Sequence, residues 1–234
     1  MKPTVLVLSC EHASNTVPVA YQHLFAHSLE TLQSPKAYDL GAIDIAAHLQ
    51  KILACDMVQS NVTRLLIDCD HSEHHSKCFS KFTKKSSPAE KKNLITAYYL
   101  PFYNQLENII DQYIANNKQV LHVSIHTFAP RSHGRIFHSG IGILYDSHRH
   151  GEKEVARLVH GLLLQEAIPY KIRLNYPFSG AKDYVLNHFR KKHEQKDYLG
   201  IKIDINQALV IHPSDLTNIL QTFDCCFKEL LDLL

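Results

Sequence analysis

Val5-Leu6-Val7-Leu8-Ser9-Cys10 is a continuous apolar run that stops abruptly at Glu11-His12, and Ala13-Ser14-Asn15 and Pro18 follow it. Such a run reads as a buried strand over residues 4–10 that delivers polar side chains to its carboxyl end. Val120 to Phe128 repeats the design and carries His126 near its end. Ile141 to Asp146 is a third apolar strand, and Leu199 to Ile205 alternates Ile201, Ile203, Ile205 with polar positions, a period of two. Val58, Arg64–Asp68 and Ile172–Pro177 read as shorter extended segments. Helical spacing of apolar residues covers 38–53, 89–115, 155–165, 183–192 and 216–234. Pro101 should kink or split the second of these. Asp39 could cap the first helix, with Gly41 and Ala42 small enough for close packing, and Ser214 or Asp215 could cap the last. Residues 71–88 are polar, rich in Ser and Lys, and read as a long loop. Strands alternating with helices predict one α/β domain over residues 1–234, with a central mixed, mostly parallel sheet and helices on both faces.

Composition narrows the function classes. A chain of 234 residues is long enough to bury a large core without disulfides. Its net charge of +2 argues against a nucleic-acid or membrane-surface partner. No run is long enough to span a membrane, and the first apolar stretch is too short and ends too polar for a signal peptide. The six cysteines form no C-x-x-C pair. They read as reduced thiols of a cytoplasmic protein. Seventeen histidines make any single one weak evidence, so position matters more than identity.

In open α/β sheets, ligands bind at the carboxyl ends of the strands. Two strand-terminal histidines can therefore converge on one metal ion, and His12 and His126 are the candidate ligands. Catalytic zinc takes three protein ligands and keeps one position open. Glu11 adjoins His12 but shares its direction only if the backbone has turned out of the strand. Asp39 and Asp68 are alternative carboxylates. Asn15, three residues past His12, is a weaker donor that fits substrate binding or bracing of the loop. Arg64 begins an apolar segment and fits either a bidentate grip on a substrate carboxylate or an ion pair with Asp68. Arg135, beyond His126, is a second candidate anion binder. Asp204 should face opposite to Ile203 and Ile205. There it serves as a general base if that face opens on the site, and as an exposed edge residue otherwise.

Cys10-Glu11-His12-Ala13-Ser14-Asn15, Asp39-Leu40-Gly41-Ala42, Thr63 to Asp68, Ser124-Ile125-His126-Thr127-Phe128, Asn175-Tyr176-Pro177-Phe178 and Ile203 to Gln207 together resemble the N-formylglutamate amidohydrolase family. The resemblance implies a fold similar to zinc carboxypeptidases and aspartoacylases, and metal-dependent hydrolysis of a non-peptide C–N amide bond in a small N-acyl amino acid such as N-formylglutamate. It implies His12 and His126 as ligands of one divalent ion, zinc in the first instance; Glu11, from its place beside His12, is the candidate third ligand or a catalytic carboxylate. The resemblance further implies Arg64 as the binder of a substrate carboxylate and Asp204 as general base, while Asn15 and Arg135 remain substrate-contact candidates from their positions alone. The expected partner is a small molecule with a carboxylate, bound by a monomer or homodimer. Three departures stand out: Asp204 where Glu is expected, Asn206 where relatives tend to carry Arg, and His71 where an Arg is expected. Two other classes stay open, a metallopeptidase acting on short peptides or cell-wall fragments, and a non-catalytic member that binds a small ligand.

Overall fold

The computed structural model describes residues 2–132, 134–166 and 169–234. Six strands form the main sheet: β1 (Thr4–Cys10), β2 (Asp56–Gln59), β3 (Gln119–Phe128), β6 (Ile141–Leu144), β7 (Ile172–Leu174) and β8 (Tyr198–Asn206). Their order is β2-β1-β3-β8-β6-β7. Every pairing is parallel except that of β6 with β8. The sheet is mixed and mostly parallel, as the alternation of elements predicts. A two-stranded ribbon, β4 (Arg131–Ser132) and β5 (Arg135–Ile136), follows β3.

Helices cover both faces. Leu6, Leu8, Leu121, Val123, Ile125, Ile201, Ile203 and Ile205 point to one side. There they pack against α2 (Ala42–Leu53), α5 (His150–Gln165) and α7 (Pro213–Leu233). Val7, Val120 and Tyr198 point to the other. They meet α3 (Pro88–Leu94), α4 (Leu100–Ala115) and α6 (Tyr184–Lys192), while the short α1 (Leu29–Leu32) lies in the loop region before α2. β1 is followed by α2 on one face, and β3 is preceded by α4 on the other. In the sheet the chain leaves β1 toward β2 on one side and β3 toward β6 on the other, so the neighbouring carboxyl ends of β1 and β3 form a switch point of the kind that opens a ligand crevice. No helix among the described residues is long and apolar enough to cross a membrane.

The local sequence explains most element boundaries. Ser87 and Glu90 cap α3 reciprocally, with Pro88 in the first turn. Pro101 has no N–H to give to the carbonyl four residues back, and the helix accommodates it through a π-helical turn at Ile95–Tyr99. Asp183 caps α6 by accepting from Leu186 N. Gly41 lies at φ +78°, and a Cβ there would come within 2.8 Å of Val210 Cβ. Only glycine meets both conditions, which fixes the entry to α2. Behind the sheet, Arg190 forks onto Glu152 at 2.9 and 2.6 Å. Glu152 also accepts from Gly200 N and Asp146 N, so this buried ion pair is closed on itself.

Three local expectations are corrected. Arg64–Asp68 is a series of turns and not a strand, because Thr63 accepts from Leu66 N through its carbonyl and from Leu65 N through its hydroxyl. Its apolar residues Leu66 and Ile67 are buried all the same. Asp39 is not the cap of α2, which begins after Gly41 without a side-chain cap. His212, followed by Pro213, occupies the cap position of α7 in place of Ser214 or Asp215.

Candidate metal centre

The chain leaves β1 at Cys10 and turns, so that Glu11 and His12 are no longer bound to opposite faces. The carbonyl of His12 accepts from Asp39 N at 3.0 Å, which ties the entry of α2 to the end of β1. His126 stands near the end of β3, and Asp204 on β8 is its register partner. All four side chains are buried.

His12, Asp39 and His126 each turn one ligand atom toward the others, all within 4.8 Å. Asp39 Oδ2 lies 2.8 Å from His126 Nδ1 and 3.4 Å from His12 Nδ1. Two ligands of a tetrahedral zinc at its usual bond lengths stand ~3.3 Å apart, so these spacings are of the right size. The two imidazoles meet edge to face, with centroids 4.9 Å apart.

The outer nitrogens are also engaged. His126 Nε2 is 2.5 Å from Glu11 Oε2, and His12 Nε2 is 2.8 Å from Asp68 Oδ1. A carboxylate behind each imidazole is the arrangement that orients metal-binding histidines. Glu11 in turn accepts from Ser9 Oγ at 2.5 Å and Ser124 Oγ at 2.7 Å. Ser9 Oγ continues the chain to His122 Nε2, and His122 Nδ1 contacts the Tyr198 hydroxyl.

Charge is dense here. Burial works to raise the Glu11 carboxyl, but His126, Lys202 and the Ser9 hydroxyl outweigh it and hold the carboxyl well below the ordinary range. Burial opposes ionisation of Asp39 as well, and Arg64, His12 and His126 likewise hold it far down. Asp68 falls to about 2, with His12 overcoming burial. Burial and Lys202 disfavour a charged His126, yet Asp39 and Glu11 lift it to about 10. Asp204 differs from the other carboxyls: burial, reinforced by Asp39 and Asp70, pushes it up to about 7 against the pull of His126 and Lys202. Its Oδ1 is buried without a hydrogen-bond partner.

The sequence-derived residues divide in position. His12, Arg64, His126 and Asp204 line one cavity of about 970 Å³. Glu11 is not one of the three converging residues. It points the way Ser9 does and stands behind His126, and the carboxylate that converges with the two histidines is that of Asp39. Arg64 pairs with Asp39 Oδ1 at 2.6 Å, not with Asp68 in a bonded pair, and also donates to the Pro35 carbonyl and to His12 Nδ1 at 2.9 Å. Asp204 is not at an edge, since β8 lies between β3 and β6. Asn15 donates to the Leu32 carbonyl at 3.0 Å and braces the loop before α2, outside the cavity. Arg135 is exposed on β5 and is not among the residues lining the cavity. Sequence reasoning missed Lys202, which is buried 2.5 Å from Asp183 and 3.1 Å from Asp70. The period-two pattern that singles out Asp204 places Lys202 on the same face, so the signal was present.

The sequence pattern of the N-formylglutamate amidohydrolase family matches residues 4–211. The fold is similar to that of gene product Atu2144 from Agrobacterium tumefaciens, at 26% identity and a TM-score of 0.79, over 99% of this chain and 91% of that one. It is similar also to an N-formylglutamate amidohydrolase from Ralstonia eutropha JMP134, at 12% identity and a TM-score of 0.74, over 99% and 93% of the two chains. No curated protein sequence matches the chain.

Proposed function

The chain belongs to the N-formylglutamate amidohydrolase family, and on that premise we propose that it hydrolyses the amide bond of a small N-acyl amino acid with one divalent ion, zinc by its donor set, held by His12, Asp39 and His126. The observation that carries this reading is the convergence of those three donors beside Asp204, whose buried Oδ1 has no partner. The donor set fits the ion: two imidazoles and a carboxylate whose ligand atoms lie within 4.8 Å of one another, with Glu11 and Asp68 fixing the outer nitrogens.

When bound, the ion would polarise the scissile carbonyl and increase the acidity of an adjacent water. The protein residues do the rest. Asp204 receives the proton of the attacking water at Oδ1 and returns it to the departing amine. Water adds across the C–N bond, and the products are the acyl carboxylate, formate for a formyl substrate, and the free amino acid. His12 Nδ1 cannot serve both an ion and Arg64. With that nitrogen given to the ion, Arg64 keeps Asp39 and turns its freed NH1 toward the α-carboxylate of the substrate.

The test is formate release from N-formyl amino acids, N-formylglutamate included, by zinc-reconstituted protein. Release that disappears in Asp204→Asn while zinc stays bound supports the reading. Absence of release from every N-acyl amino acid by protein carrying stoichiometric zinc would overturn it.

A further inference from the structure

The residues that line the cavity include two chemically distinct clusters, one polar and one aromatic. Asp39, Arg64 and the histidines make up the first. In the second, Phe128 follows His126 by two residues on the same face of β3, and Phe137 and Phe178 extend an aromatic wall from it. Phe137 meets Phe128 edge to face at 5.7 Å and lies 6.3 Å from Phe178. Phe178 is 53% exposed, an aromatic ring that the fold leaves uncovered at the cavity. Leu144, the register partner of Lys202, continues the apolar surface along β6.

The aromatic cluster offers little to a second carboxylate. The charge of Lys202 is spent on Asp70 and Asp183. The Asn206 amide donates to the Ser139 carbonyl at 3.1 Å and does not line the cavity. The other lysines that line the cavity, Lys36, Lys77 and Lys182, are exposed, where salt and water screen them. A glutamate side chain laid on this wall would lose hydration without a buried partner, a costly exchange. An aromatic ring would cover Phe137 and Phe178 and gain from both burial and edge-to-face contact. The volume of about 970 Å³ is at the upper end for small-ligand sites and leaves room for such a ring.

We infer that the substrate is an N-acylated aromatic amino acid, its α-carboxylate on Arg64 and its ring on Phe137 and Phe178. The inference rests on the amidohydrolase reading for the chemistry but on the wall alone for the preference, and the two separate experimentally. N-methanesulfonyl derivatives of phenylalanine, glutamate and glycine resist hydrolysis and can be titrated calorimetrically into the zinc-loaded protein. The phenylalanine compound is expected to bind at least about tenfold more tightly than the glutamate compound. Phe137→Ala and Phe178→Ala should each reduce that affinity about tenfold and leave the glycine compound within about twofold. Equal or tighter binding of the glutamate compound, or equal losses for all three in both variants, would overturn the inference. Formate release from N-formylphenylalanine is measured alongside. Its absence with the binding preference intact would defeat the hydrolase reading and leave the aromatic preference standing, whereas release without any preference would do the reverse.

Discussion

The two faces of one sheet follow different rules. On the face covered by α2, α5 and α7, residues from β1, β3 and β8 are apolar through the middle of each strand: Leu6 and Leu8, Leu121, Val123 and Ile125, then Ile201, Ile203 and Ile205. On the opposite face the same strands begin apolar, at Val7, Val120 and Tyr198, and become polar toward their carboxyl ends. There Ser9 leads to Glu11, His122 to Ser124 and His126, and Lys202 to Asp204, every one of them buried. One face is a packing surface. The other is a column of hydrogen bonds in which each group serves the next, and Asp204 Oδ1 is left without a partner at its mouth. Buried polar groups persist only where they are satisfied or where something outside the chain completes them. The closed Glu152–Arg190 pair illustrates the first case and Asp204 the second.

That contrast can be broken by substitution on either face. The largest effect is expected at Asp204→Asn: turnover falls roughly 10²- to 10⁴-fold while zinc content and folding are retained, as steady-state kinetics and elemental analysis would register. On the opposite face, Ile203→Ala should cost about 2–5 kcal/mol in urea unfolding, yet leave zinc stoichiometry and activity per folded molecule intact. Loss of zinc in that variant would show that the faces are not independent. The third test uses pH. Burial depresses His122 to about 4. The unfolded chain takes up a proton below its ordinary value of about 6.5, whereas the folded chain does not do so until about 4. Stability is therefore complete above 6.5 and declines as pH falls toward 4, by about 3 kcal/mol in all. His122→Gln should flatten that part of the parent's stability curve, and an unchanged slope would contradict the assignment. The smallest effect is expected behind the imidazoles, where Glu11→Gln or Asp68→Asn should weaken zinc about 10- to 100-fold without removing the site, measured by competition with a chelator.

Much of this was legible in the sequence. Continuous apolar runs marked β1 and β3, and their terminal histidines pointed to the site. Alternation placed Asp204 on the face away from the isoleucines, and the same alternation should have drawn attention to Lys202. Arg64–Asp68 was harder, because a short apolar run between charges fits a strand and a buried turn equally, and the Thr63 hydroxyl decided the matter. The third donor was in view but not singled out, since Asp39 stood beside Glu11 and Asp68 as one of three carboxylates. Asp39 lies 27 residues from His12 and 87 from His126, distances over which spacing carries no geometry, and Glu11 was favoured by adjacency alone. What brings Asp39 into place is the backbone bond to His12 and the left-handed Gly41 packed on Val210. Asn15 and Arg135 were drawn in by nearness in sequence to the two histidines, and neighbours in sequence need not share a cavity.

The most direct test of the account is the metal content of the purified protein after zinc is supplied, compared with Asp39→Ala, His126→Ala and Glu11→Gln prepared in parallel. The account predicts close to one zinc per parent chain, loss of it in Asp39→Ala and His126→Ala, and weakened but detectable zinc in Glu11→Gln. A parent that holds no zinc, or an Asp39→Ala variant that keeps it while Glu11→Gln does not, would contradict the site as described.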